Sequence, residues 1–101
     1  MAKIRKTKNE FRKLNSKDGR GHPAYIYAGE GDKYIFLGLT HSEITQGVKN
    51  IRLDKNPNPD DARSSYVRPR SERSHISTFG KRLKGWFFGD SDKEKIEKMQ
   101  K

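Results

Sequence analysis

His22, His41 and His75 are the side chains of this chain that can exchange a proton near neutral pH, and each has a different setting. His22 precedes a proline at the start of an aromatic, β-branched run, where a histidine is more often an ordinary loop residue than an acid–base group. His41 directly follows Thr40. If the strand that carries them persists, the two point to opposite faces, which ranks His41 below His22. His75 lies in a basic stretch and reads as an anion contact or a solvated residue. Thr40 closes an apolar run, a place where a hydroxyl commonly bonds the backbone and turns the chain. Ser64 and Ser65 are flanked by Arg63, Arg68, Arg70 and Arg73. Arginine's planar fork suits phosphate and its plane stacks on bases, so this segment reads as a nucleic-acid contact. The two serines either join it or hydrogen bond within an edge strand.

Several chemistries drop out. Without cysteine there is no thiol nucleophile, disulfide framework or cysteine-ligated zinc, and such a chain suits a reducing cytoplasm. The His, Asp and Glu residues show no tight ligand spacing, so neither metal nor cofactor is expected. Gly29-x-Gly31 is too short for a phosphate-binding loop, lacking a further glycine and a following helix. No apolar run approaches the ~20 residues that span a bilayer, and residues 1–20 lack the apolar centre of a secretory signal. A soluble cytoplasmic protein is the expectation.

Charge carries more information. The 101 residues have a formal net charge of +10, placed unevenly. Residues 1–20 hold eight Lys/Arg against Glu10 and Asp18, and residues 63–84 hold seven against Glu72. The stretch between them is slightly acidic and the last seventeen residues are balanced. Two basic blocks flanking a neutral body favour phosphate contacts and counterion release, which points to a polyanion and above all to RNA. Lys81 and Arg82 of the second block join the expected RNA contacts. An anionic membrane would also attract this charge, but residues 1–20 offer only Ile4, Phe11 and Leu14 as an apolar face.

The elements that must position these groups follow from the pattern. PAYIYA at 23–28 and KYIFLGL at 33–39 read as strands joined through Gly29-Glu30-Gly31-Asp32 into a β-hairpin. VKNIRL at 48–53 alternates as a half-buried strand. Residues 56–61, NPNPDD, read as an exposed loop. SSYVRP at 64–69 and HISTF at 75–79 are shorter strands, and RLKGWFF at 82–88 is a last strand or turn. Ser91 and Glu94 have capping-box spacing before a short helix whose Ile96 and Met99 can dock on a sheet. Residues 1–18 read as a basic extension, disordered or holding a short helix at Asn9–Asn15, and 19–101 as one domain. Short strands with one terminal helix predict a mainly β (α+β) fold, a small and strongly bent barrel of five to six strands.

From Gly21 to Met99, about four-fifths of the chain, the order of these pieces resembles the PemK/MazF-like family of toxin ribonucleases. The matching pieces are His22-Pro23 followed by AYIY, FLGLTHS at 36–42, SSYV at 64–67, HISTFGKRLKGWF at 75–87 and SDKEKIEKM at 91–99. The resemblance implies an SH3-like barrel that acts as a homodimer, cleaves single-stranded RNA without metal, and is neutralised by an antitoxin protein. In that chemistry a ribose 2′-hydroxyl attacks the adjacent phosphorus. A group must take its proton, cations or donors must hold the phosphorane oxygens, and an acid must protonate the leaving 5′-oxygen. Thr40 matches the threonine that closes a strand in the family. His22 stands where the family has an arginine, so it brings a titrating group and loses a permanent planar cation. Arg20, two residues earlier, can supply that charge. The resemblance and the charge pattern together give His22, Thr40 and Arg20 as the expected catalytic residues, and Arg63, Ser64, Ser65, Arg68, Arg70, Arg73, Lys81 and Arg82 as the expected RNA contacts. The alternative is a non-catalytic basic nucleic-acid-binding barrel, ribosome-associated or from a mobile element.

Overall fold

The computed structural model describes residues 5–15 and 22–99. The expected hairpin is its centre: β2 (Pro23–Glu30) and β3 (Lys33–Thr40) pair antiparallel from Glu30↔Lys33 to Ala24↔Gly38. The turn is the two-residue Gly31-Asp32, with Gly31 at φ 62°, a conformation a glycine adopts without a Cβ clash.

β1 (Arg5–Leu14) corrects the expectation for the N-terminal segment: it is a strand against β2, where a disordered extension over 1–18 or a short helix at Asn9–Asn15 was expected. Its residues lack the alternation that marks a strand, and what holds it is one aromatic anchor. Phe11 is buried, its ring centroid 5.1 Å from Tyr25 and 5.0 Å from Phe88. The register shifts between Thr7 and Glu10, and Asn9 sits there at φ 51°, its side chain accepting a 2.7 Å hydrogen bond from the Tyr25 hydroxyl. A bulge that needs a left-handed residue suits asparagine, and it bends the strand.

The expected strand at 48–53 is broken in two. β4 (Ile44–Thr45) and β5 (Val48–Lys49) form their own hairpin across Gln46-Gly47, both at positive φ, while β6 (Ile51–Arg52) pairs with β7 (Tyr66–Val67). The break falls at Asn50, a buried residue whose amide donates to Ser42 O and Thr45 Oγ1. A polar group with that many local partners takes a fixed place off the ladder. The strand expected at 64–69 shrinks to β7. HISTF also divides: β8 (Glu72–His75), a 3-10 turn at Ile76–Thr78, then β9 (Phe79–Arg82). His75 caps that turn, its Nδ1 accepting from Ser77 N at 3.1 Å. Residues 83–88 follow without regular structure.

The helix α1 (Asp90–Met99) starts one residue before the predicted capping serine. Ser91 instead donates to Asp54 Oδ2 at 2.7 Å, and Asp92, fully buried, accepts from the backbone N–H of Asp54 and Lys55 at 2.7 and 3.0 Å. The first turn is therefore tied to the segment after β6 rather than closed on itself.

The described strands form an antiparallel sheet in the order β6-β7-β3-β2-β1-β9, with β8 also on β3. Both faces are covered. Tyr25, Leu37 and Leu39 meet Phe11, Leu53, Val67 and Ile96, while Ala24, Ile26 and Phe36 meet Phe79. The expectation thus holds at the level of a mainly β fold with one C-terminal helix, the ladder itself being open. Among the described residues no helix is long and apolar enough to cross a membrane.

Candidate functional site

Three parts of the chain converge where β2 begins and β3 ends. Leu14 N donates to His22 O at 2.8 Å, which fixes the backbone of His22 beside β1, and Pro23 opens β2. Thr40 ends β3, so strand alternation stops there. His22, Thr40 and His41 all line one narrow cleft of about 70 Å³, walled further by Asn56, Asp61, Ser65 and Trp86. β3 ends at Thr40, so the alternation that ranked His41 below His22 does not extend to His41. A wider cleft of about 270 Å³ shares His22 and Thr40 and adds Arg68 and Glu72.

Thr40 Oγ1 accepts from Ser42 N at 3.1 Å, the hydroxyl-to-backbone bond that turns a chain leaving a strand. Its own proton remains available to donate. Arg68 N donates to Gly38 O at 2.9 Å, and its guanidinium donates to Asn50 Oδ1 at 2.9 Å and more weakly to Thr45 O. A Cβ at Gly38 would stand 3.2 Å from Arg68 Cγ, so the glycine lets this side chain lie across β3. Arg68 is thus a positioned, half-buried cation on the same cleft as His22 and Thr40.

The far wall comes from the loop at 56–61, which orders itself through successive side-chain-to-backbone bonds. Asn56 Oδ1 accepts from Asn58 N, Asn58 Oδ1 from Asp60 N, and Asp61 Oδ1 from Arg63 N. Asn56 also donates to Arg63 O, and Phe87 N donates to the carbonyl of buried Pro57. Asp61 then takes Arg63 bidentately, with Nε to Oδ1 at 3.0 Å and Nη2 to Oδ2 at 2.7 Å. Those bonds, the Arg63 N–H and the Arg63 charge hold the Asp61 carboxyl down at about 2, with His41 adding to the pull, and in return raise Arg63. His41 Nδ1 lies 2.9 Å from Ser64 O, a carbonyl that can only accept, so that nitrogen carries a proton. Its Nε2 stands 3.7 Å from Asp61 Oδ2, beyond hydrogen-bond range.

The other expected contacts divide. Ser65 is buried at the cleft and its carbonyl accepts from Leu53 N, whereas Ser64 is exposed. Arg63 is exposed but committed to Asp61. Arg70, Arg73, Lys81 and Arg82 do not line the cleft: Arg73 faces Glu30 at 3.4 Å, and Lys81 and Arg82 sit exposed on β9. Arg20 lies outside the described residues. Sequence alone ranked His41 below His22 and assigned no role to Asn56 or Asp61. The signal for the loop residues was the Asn-x-Asn-x-x-Asp spacing, since these side chains build turns that hold themselves in place. No family model, curated protein or solved structure matches the chain.

Proposed function

We propose that this protein is an endoribonuclease that cleaves single-stranded RNA by transesterification, of the PemK/MazF-like toxin type. The observation that carries the reading is the meeting of His22, Thr40 and His41 in one cleft, with Arg68 on its shared wider mouth. The chemistry needs no more than these groups. One imidazole takes the proton of the ribose 2′-hydroxyl as the oxygen bonds to phosphorus. The other protonates the 5′-oxygen as its bond to phosphorus breaks, which leaves a 2′,3′-cyclic phosphate and a free 5′-hydroxyl. Arg68 and the Thr40 O–H stabilise the charge on the phosphorane oxygens. Arg68 takes the place of the family arginine that His22 has replaced, a role the sequence alone assigned to Arg20. Among the described residues no three His, Asp or Glu side chains gather as a metal site.

The same reading includes an SH3-like barrel, and the 3-10 turn supports it. His75, opposite Lys33 on β3, and Phe79, opposite Leu14 on β1, are four residues apart, so the chain between them reaches at most ~14 Å. That brings two strands from distant places in the sheet order close together. A homodimer, a cytoplasmic location and an antitoxin protein that covers the cleft complete the proposal.

The test is purified protein with a long unstructured RNA in excess chelator. Cleavage with a bell-shaped dependence between about pH 5 and 9, ending in cyclic phosphate, is expected. His22→Ala and His41→Ala should each lose on the order of 10²–10⁴-fold in rate. Intact RNA at every pH, or full activity of both variants, removes this reading. A barrel that binds RNA without cutting it is the second reading, favoured by the bond that already occupies Thr40 Oγ1 and by the Asp61 that neutralises Arg63. It predicts salt-sensitive binding with intact substrate.

A further inference from the structure

β3 alternates, so Tyr34, Phe36, Gly38 and Thr40 share one of its faces. Phe36 in the middle is buried, its ring 5.0 Å from Phe79, and closes that face to solvent. Thr40 opens at one end into the cleft already described. At the other end, roughly 20 Å away for six residues of strand, Tyr34 is ringed by cations. Lys8 Nζ lies 5.5 Å and the Arg12 guanidinium carbon 5.7 Å from its ring centroid.

Arg82 adds a third charge. It is the direct partner of Arg12 in the β1–β9 ladder, and side chains of directly opposed residues share a face. Like charges placed that way repel. Glu10 answers only one of them: its carboxylate, nearly buried, takes Arg12 Nε at 2.7 Å. Among the described residues Lys8 and Arg82 have no ion-pair partner, and both are exposed. Repulsion that the fold leaves uncancelled on a rigid strand pair is relieved by an outside anion, and an aromatic ring at its centre keeps the lysine and arginine stems gathered.

We propose that Lys8 and Arg12 beside Tyr34, with Arg82 opposite Arg12, form a second phosphate-binding surface for single-stranded RNA, separate from the cleft and about 20 Å from it along β3. It holds the strand and takes no part in the chemistry. The proposal rests on the reading of this chain as an RNA-binding protein. It also explains why the β1 and β9 cations stand apart from the arginines of 63–73.

The experiment uses the full chain and two ligands. A 2′-O-methyl RNA of about 20 nucleotides exceeds the site size of small barrels and cannot be cleaved, and a ribodinucleotide substrate is too short to reach from cleft to patch. Lys8→Ser with Arg82→Ser should make the slope of log affinity against log salt shallower by about 1.4 for the long RNA, near 0.7 for each phosphate no longer neutralised. Lys8→Arg with Arg82→Lys, which keeps both charges, should restore the parent slope. kcat/KM for the dinucleotide should stay unchanged. An unaltered slope on RNA that the parent protein binds overturns the second surface alone. An equal loss on the dinucleotide also overturns it, since the effect would then be global. A parent protein that binds no RNA removes both this proposal and the function on which it rests.

Discussion

Asp61 sets the state of the candidate cleft more than any other single residue. Its carboxylate occupies the fork of Arg63 and stands across from His41, so on the proposed function an RNA phosphate would compete with it. Because the Asp61 carboxyl is held below its ordinary 3.8, at about 2, its pairing supports the fold above about pH 4 and is lost as the pH falls through about 2. Thermal melts over that acid range should show a decline in stability that shrinks in Asp61→Asn. A decline of the same size in the variant would assign it to other carboxylates. At neutral pH the same variant frees Arg63, so its affinity for uncleavable RNA should rise, as read by anisotropy. His41 illustrates why this site was only half legible from sequence. Its rank rested on alternation, which holds inside a strand and fails one residue past its end.

Among the elements, α1 depends on one buried carboxylate. Asp92 Oδ1 and Oδ2 satisfy the amides of Asp54 and Lys55, and Lys95 Nζ approaches at 3.6 Å. Asp92→Ala leaves two backbone donors without their acceptor at a part-buried place, a cost of about 1–3 kcal/mol that chemical denaturation should register. Asp92→Asn, with one acceptor left, should lose less. The β2–β3 hairpin was legible because YIY and YIFL are built to fill a sheet and Gly31 marks the turn. α1 was legible from the Ser91–Glu94 spacing and from Ile96 and Met99, though its true anchor was not, since Asp92 looks like a solvated helix residue until its partners at 54 and 55 are placed. β1 was illegible for a plain reason. RKTKNEFRKL has one large apolar side chain at its middle, and Phe11 counts for so much only because Tyr25, Trp86 and Phe88 close around it from positions 14 or more residues away. The VKNIRL segment misled in the opposite direction: its alternation is real, but Asn50 finds better partners off the ladder.

At the scale of the whole molecule, the N-terminal strand joins the two sides of the structure. Phe11 packs on the helix-side core, while Leu14 of the same strand packs against the core that holds Phe36 and Phe79. Phe11→Ala should therefore cost about 3–5 kcal/mol, a large share of the roughly 5–15 kcal/mol that keeps a domain of this size folded. Urea unfolding should show a lower midpoint in a single transition with the slope retained, whereas a change near zero would mean that β1 is dispensable. The two basic blocks of the sequence likewise come together across this strand, Arg12 from the first opposite Arg82 from the second.

The two ends of the ladder also bear on how molecules of this protein can meet. β6 is two residues long, too short to template a neighbouring chain, and β9 carries Lys81 and Arg82 on its exposed course. Short or cationic edges discourage the strand-to-strand stacking that leads to fibrils. Self-association in concentrated solution through these two edges is thereby discouraged.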